Sequence, residues 1–411
     1  MHIVIVGNGP AALSAVEAIR EKDEACDITI LSLEAERAYT PCFLAKHVAG
    51  KIESDVMALK CDDFYESHRV ELISGQAVTA VVPQDNAVVL ADGSRVHYDK
   101  LLLACGADPV IPDSPDLSGE GIFVFKSFAD ADRIRARAQL ARHVVVLGSG
   151  FVAMEIAEAL AETGGAVTVV ARTDRILRRI FDPEVAGMVE EHMCQNGVSF
   201  AKGRDLVGVE RAEETGDIKA IVLSDGERLP CDMLVVGVGM RPNVGIVAGT
   251  SVATDRGILT DDAMRTSEPN IYAAGDVAVA EIAGVRKASL IHPNATATGR
   301  IAGYNMVGAG QRMSAHIADM NVLTLFGHSF FSAGSMEGER VLRRAVGADG
   351  LVKVFADGAG LITGVELVGD VTRAGLYASL IARGVTVDAV PGLLEPTFNY
   401  AQTLGRTTLI S

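Results

Sequence analysis

Two glycine turns, each set between a buried strand and a helix, constrain this chain more than any other feature. The first, Gly7-Asn8-Gly9-Pro10-Ala11-Ala12, follows the β-branched run His2 to Val6, which reads as a buried parallel strand. A helix-forming run from Leu13 to Lys22 comes next, and a second strand, Ile28 to Leu33, ends on Glu34. Strand, turn, helix, strand and acid form the context in which GxGxxA holds a dinucleotide. Gly7 permits the turn. Gly9 lets a pyrophosphate approach backbone N–H groups at the helix N-terminus, Ala12 allows close helix-to-strand packing, and Glu34 would accept from ribose hydroxyls. The pattern then returns: the strand His143 to Leu147, the turn Gly148-Ser149-Gly150-Phe151-Val152-Ala153, a helix from Met154 to Glu162 and a strand from Ala166 to Ala171.

A chain of 411 residues has room for two or three cores. Pro41 leads into a short helix, residues 70 to 98 alternate like a meander of antiparallel strands, and Tyr98 to Gly106 is a buried strand closing on glycine. Pro109, Pro112 and Pro115 punctuate a linker. Ser127 to Ala141 is helical, antiparallel strands are expected from about 198 to 229, and Cys231 to Met240 again closes on glycine. A helix rich in small residues runs from about Ala295 to Met306, and beyond Met313 strand-like runs surround a helix at Thr372 to Arg383. The pattern predicts an α/β fold: two doubly wound, Rossmann-like nucleotide-binding domains, one inserted in the other, plus a C-terminal α+β interface domain. The boundaries expected are 1–118 with 245–310, then 119–244, then 311–411.

A formal charge of -16 argues against a nucleic-acid or anionic-membrane surface, because phosphate binding needs clustered Lys and Arg. The six cysteines are scattered with no CxxC or other metal-ligand spacing, so no iron-sulfur cluster or metal site is expected on this chain. No apolar run is long enough to cross a bilayer, and the first strand begins at residue 2, leaving no room for a cleavable signal. The expectation is a soluble cytoplasmic protein in a reducing compartment.

Two dinucleotide sites on one chain imply two cofactors that meet. A flavin and a nicotinamide suit this, because hydride can pass between them with no protein nucleophile. Asp276, at the end of the strand Ile271 to Ala274, would accept from a ribityl hydroxyl. The turn near His292 to Ala295 would aim a helix N-terminus at the pyrimidine edge of the flavin. Asp276 as a plain helix cap and His292 as a structural histidine are the competing readings.

At this point the ordered motifs GNGPAA with Glu34, YDKLLLACGADP, GSGFVAME, LVVGVGMRPN and TSEPNIYAAGDVA resemble the pyridine nucleotide-disulfide reductase superfamily, in its ferredoxin or rubredoxin reductase and NADH oxidase branches. The resemblance covers residues 1 to about 310. It implies FAD contacts at Gly7, Gly9, Ala12, Glu34, Lys46 and Asp276; Gly275 beside Asp276 and His292 are further candidates read from the residues themselves. It implies NAD(P)H contacts at Gly148, Gly150, Ala153 and Glu155, with Gly239 in the LVVGVG run. In the ferredoxin-reductase-like branch the residues matching Lys46 and Glu155 pair near flavin N5; an ordinary surface lysine and helix-face glutamate are the alternative.

Only Cys42 stands where disulfide reductases carry two cysteines, so a CxxxxC couple is excluded. Tyr39, Leu44 and Lys46 look like the Tyr-x-Arg-Pro-x-Leu-Ser-Lys segment of rubredoxin and ferredoxin reductases. Cys42 also lies where single-cysteine NADH oxidases, peroxidases and coenzyme A-disulfide reductases keep a redox thiol, although Phe43 replaces their usual Gly. Cys42 is therefore either a working thiol or a small buried filler. On the nicotinamide side the strand stops at Ala171 without an acid and is followed by Arg172 and later Arg178, which could pair a 2′-phosphate or simply be solvated. The leading expectation is an FAD-dependent NAD(P)H:acceptor oxidoreductase serving an iron-sulfur protein or subunit, as a homodimer or within a hetero-oligomer. A single-cysteine oxidase or reductase using Cys42 and a flavin-bound regulatory protein are the alternatives.

Overall fold

The computed structural model describes residues 1–113, 117–315, 319–399 and 401, so Pro115 lies outside the described residues. The chain divides into two compact units: Met1–Val110, Lys126–Ala131 and Gly239–Ile317 in the first, Ile111–Phe125, Asp132–Val238 and Ala318–Ser411 in the second. Among the described residues no helix is long and apolar enough to cross a membrane.

The first unit is built on a five-stranded sheet in the order Ile271–Ala273, Lys100–Leu103, His2–Val6, Asp27–Leu31, Val70–Ile73. All its pairings are parallel, so the inner strands are buried on both faces and read as continuous apolar runs. Helix Pro10–Arg20 starts at the proline, whose fixed φ suits the first helical position, rather than at Leu13 as expected. It lies against helix His292–Met306. Gly299 and Gly303, one helical turn apart, bring the second helix onto the first, because a methyl group on either would overlap the carbonyl of Ala11 or Ala15. Three antiparallel strands, Val78–Val82, Ala87–Leu90 and Arg95–His97, form a separate sheet. The expected meander is thus shorter than 70 to 98, since Val70–Ile73 pairs parallel with Asp27–Leu31. Pro109 is not in a linker: Ala107–Pro109 pairs antiparallel with Met240–Pro242, an edge ribbon that tolerates proline on both strands.

The second unit repeats the plan. Its parallel sheet runs Val198–Lys202, Ala166–Ala171, His143–Leu147, Met233–Val236, Ile122–Val124. Val198–Lys202 was expected to be antiparallel. It pairs parallel because helix Pro183–Gln195, absent from the sequence reading, carries the chain back to the start of the sheet. That helix has a capped start, with Asp182 accepting from the Val185 N–H at 3.0 Å. Strands Leu206–Arg211, Ile218–Leu223 and Arg228–Pro230 form a small antiparallel sheet. A five-stranded antiparallel sheet, Met320–Leu325, His328–Gly334, Ile362–Val368, Gly350–Ala356, Arg340–Val346, carries helix Ala374–Ala382 on its buried face. The fold class is as the sequence implied: two Rossmann-like α/β folds and a C-terminal antiparallel-sheet domain.

The two Rossmann folds correspond at the first glycine of the turn and at the strand that follows the helix. Gly7 N–H donates to the Leu31 carbonyl at 2.8 Å and Gly148 N–H to the Val170 carbonyl at 2.9 Å. A side chain on Gly7 would strike the Ala104 carbonyl, and one on Gly148 the Gly237 carbonyl. Counting on from Leu31 and Val170, Ser32, Leu33 and Glu34 correspond to Ala171, Arg172 and Thr173.

Candidate functional site

In the first unit the expected site residues gather at the carboxyl ends of the parallel strands, where open α/β sheets bind ligands. Gly7 follows His2–Val6 with φ +110, and Gly9 is an extended helix N-cap with no side-chain capping bond. A Cβ on Gly9 would meet no atom within 4 Å, so there is open space before the first-turn N–H groups. Those groups and the helix dipole favour an anion there. Asn8, between the two glycines, accepts from the Tyr65 hydroxyl at 2.9 Å, and its buried Nδ2 has no acceptor among the described residues. An orphaned donor in an open glycine cradle fits a bound pyrophosphate nucleotide. Ala12 is wholly buried within the helix that packs on the sheet.

Glu34 lies just beyond Asp27–Leu31, and the Tyr39 hydroxyl donates to its Oε2 at 2.7 Å. The Phe128 N–H donates to that hydroxyl in turn at 3.1 Å. Burial, and then the neighbouring Glu34 carboxylate, push the Tyr39 phenol far above its ordinary value, so it remains a donor. Gly275, at φ +74, passes 3.1 Å from Ala11 Cβ when given a Cβ of its own, and its N–H donates to Thr298 Oγ1 at 3.0 Å. Asp276 sits in the 3-10 turn Gly275–Val277, whose cap is Ala274, so Asp276 is not a helix cap. Burial raises its carboxyl above the usual range, opposed by the Lys126 ammonium. His292 is the first residue of its helix, and burial holds its imidazole below the usual range.

Lys46 is exposed on helix Leu44–Val48, with Nζ 5.2 Å from the Phe43 ring centroid. Cys42 is exposed in the turn Pro41–Phe43, which corrects the reading of it as buried filler. Gly239, at φ +138, falls in the first unit, where its carbonyl accepts from the Val110 N–H at 2.9 Å.

In the second unit Gly148 has φ +139, and Gly150 is an extended N-cap facing open space. Ala153 is fully buried, and its methyl stands 3.5 Å from where a Gly237 Cβ would be, an ordinary van der Waals distance. Glu155 is partly buried one helical step further on. Arg172 and Arg178 are exposed. Between them stands Arg175, which the sequence reading passed over; a third arginine in seven residues was the available signal.

A family model for pyridine nucleotide-disulphide oxidoreductases matches residues 1–299. The chain belongs to the pyridine nucleotide-disulphide oxidoreductase family. This family member is 34% identical over 387 residues to the NADH-dependent phenylglyoxylate dehydrogenase subunit epsilon of Aromatoleum evansii, covering 92% of this chain and 91% of the relative. It is 31% identical, over 67% of its length and 69% of the relative's, to the ferredoxin–NAD(+) reductase component of a 3-phenylpropionate/cinnamic acid dioxygenase from Photorhabdus laumondii. Its structure is similar to a ferredoxin reductase from Rhodopseudomonas palustris, with a TM-score of 0.86, 25% identity and coverage of 94% and 96% of the two chains. As a member of this family the protein is an NAD(P)H-dependent flavoprotein oxidoreductase.

Proposed function

We propose that the protein is an FAD-dependent NAD(P)H:acceptor oxidoreductase that exchanges electrons with an iron-sulfur protein, as the flavin subunit of a larger assembly or with a separate carrier. The observation that carries this reading is the pair of open glycine turns, each ahead of an uncapped helix N-terminus in its own Rossmann fold. Bound FAD would supply hydride acceptance from the nicotinamide and onward release of electrons. The N–H groups after Gly9 and the amide of Asn8 would hold its pyrophosphate, and Glu34, fixed by Tyr39, its ribose. Asp276 would take a ribityl hydroxyl, and His292 would present the start of its helix to the ring. Gly148, Gly150 and Ala153 would hold the nicotinamide nucleotide. Lys46 is the charge we assign to the flavin side of the first unit, and Glu155 the charge we assign to the nicotinamide side of the second.

The subunit reading is supported by the phenylglyoxylate dehydrogenase relative, which matches nearly end to end, whereas the reductase component matches over about two thirds of either chain. The absence of a CxxC pair points the same way, because the second redox centre must come from a partner. Six thiols outside any disulfide suit a reducing cytoplasm. Purified protein is expected to be yellow, with flavin absorbance bleached by NAD(P)H in under a second and restored by an iron-sulfur carrier. A colourless protein, or bleaching over many minutes, refutes the reading. One observation keeps the single-thiol alternative in play: Cys42 is exposed, as a working thiol must be.

A further inference from the structure

We propose that the first turn of helix Phe128–Ala138 is a positioning element of the flavin-nucleotide site, acting on Glu34 through Tyr39, and that a ribose held by Glu34 orders that turn in return. The assignment rests on the oxidoreductase reading only for the presence of a ribonucleotide at the first glycine turn. The stretch Lys126–Ala131 belongs to the first unit, although the residues on either side of it in sequence, Ile111–Phe125 and Asp132–Val238, belong to the second. It contributes no strand to the first unit's sheets, so side chains hold it there. The Lys126 ammonium reaches Asp108 Oδ1 at 2.7 Å, and the Phe128 ring lies 6.0 Å from that of Tyr39 and 4.9 Å from that of the buried His47.

A helix leaves its first N–H groups without partners inside the helix. Ser127 and Asp130 answer two of them reciprocally: Asp130 Oδ2 accepts from the Ser127 N–H at 3.0 Å, and Ser127 Oγ accepts from the Asp130 N–H at 3.1 Å. Ala129 is exposed to water. The Phe128 N–H is answered from outside the helix, by the Tyr39 hydroxyl at 3.1 Å. A phenol has one proton to give, and Tyr39 gives it to Glu34 Oε2 at 2.7 Å. Donation therefore runs one way, from the Phe128 N–H to the Tyr39 hydroxyl to the Glu34 carboxylate, and successive bonds of this kind strengthen one another. The tyrosine is also fixed through its backbone, because the Thr40 N–H donates to the Met57 carbonyl at 2.8 Å and the Leu59 N–H to the Ala38 carbonyl at 2.9 Å. Glu34 is not so held. It follows Leu33, which is 72% exposed, and precedes the exposed residues Ala35, Glu36 and Arg37, so Tyr39 is what selects its rotamer. One oxygen is fixed by Tyr39 and the other is left for ribose hydroxyls. Coupling between two sites is reciprocal: the factor by which the intact relay raises nucleotide affinity is the factor by which the nucleotide favours the closed helix turn. One net hydrogen bond sets that factor at about fivefold.

The test is hydrogen–deuterium exchange, read by mass spectrometry on peptides covering residues 126–131, in the full-length protein stripped of nucleotide, then with FAD and with ADP, which carries the same ribose and no flavin ring. FAD and ADP are each expected to slow exchange in this stretch about fivefold. Tyr39→Phe and Glu34→Ala should each abolish the slowing, and the double variant should lose no more than either alone, because both cut one relay. Glu34→Ala, at a partly exposed position, decides the matter if Tyr39→Phe does not fold. Ser127→Ala weakens the helix start without touching the relay, so exchange should quicken in every state while the nucleotide-dependent ratio persists. FAD binding with no slowing overturns the proposal, as does slowing that survives in Tyr39→Phe. A protein whose turn is slowed by ADP but which takes up no FAD would sink the flavoenzyme reading and leave the relay standing. A yellow protein whose turn ignores both nucleotides would do the reverse.

Discussion

Glu366 offers a sharp test of how the second unit is held together. It lies on strand Ile362–Val368 with no exposed surface, opposite Lys353 on one neighbouring strand and Ser332 on the other. Its Oε1 accepts from the Asp182 N–H at 2.6 Å, and its buried Oε2 has no hydrogen-bond partner among the described residues. The Lys353 ammonium bridges the Asp182 carboxylate and Glu184, the latter at 2.9 Å, and Arg343 approaches Glu184 at 2.6 Å. Lys353 is thus already committed to two other carboxylates. Burial, reinforced by the Asp182 carboxylate and opposed by Lys353, raises the Glu366 carboxyl to about 8 from an ordinary 4.5. The unfolded chain loses this proton as pH rises past 4.5 while the folded chain keeps it, so stability falls with pH until about 8 and then levels. At about 1.4 kcal/mol per pH unit the penalty at pH 8 is on the order of 3–5 kcal/mol. Glu366→Gln keeps an oxygen for the Asp182 N–H and places a neutral NH2 where Oε2 stood. It is therefore expected to match the wild type within about 1 kcal/mol at pH 5 and to exceed it by several kcal/mol at pH 8. Urea unfolding at the two pH values, followed by circular dichroism, reads the difference, in which titrating groups not coupled to Glu366 cancel. If the variant is no more stable than the wild type at pH 8, Glu366 is not a buried neutral acid and the reasoning fails.

Further outcomes follow from the first unit. Gly299→Ala forces a methyl group into the Ala11 carbonyl and is expected to cost about 1–3 kcal/mol; an unchanged calorimetric melting temperature would show that the helix crossing is not tight. Asp276→Ala is expected to lower flavin content on purification at least about tenfold, read from the ratio of flavin to protein absorbance. Tyr39→Phe removes the donor to Glu34 and should weaken FAD rebinding to the apoprotein by about fivefold, with no effect expected on NADP+ affinity. Cys42→Ser should leave NAD(P)H:ferricyanide turnover within about twofold, whereas loss beyond tenfold would move the activity to the thiol.

The dinucleotide folds were legible because a βαβ unit is local. Buried strand, glycine turn, helix and second strand lie within some thirty residues, and each is written in its own periodicity and turn chemistry. What failed were elements whose partners are distant. Val70–Ile73 and Val198–Lys202 are partly exposed edge strands, so their alternation looked like that of the antiparallel meanders that follow them. Helix Pro183–Gln195 announces itself only by Asp182-Pro183, since its buried residues Val185, Ala186, Val189 and Met193 make a narrow stripe. The arrangement around Glu34 needs Phe128, 89 residues beyond the Tyr39 it contacts.

The order of residues alone determined that two nucleotide folds exist and where their glycine turns fall, and it spaces the six cysteines with no CxxC or CxxxxC pair. Tertiary structure decided which polar groups are buried and what answers them: an acid at Glu366 against the Asp182 backbone, an Asn8 amide and an Arg175 nitrogen left without acceptors among the described residues. Backbone periodicity is a property of neighbours in the chain, whereas desolvation and charge depend on neighbours in space.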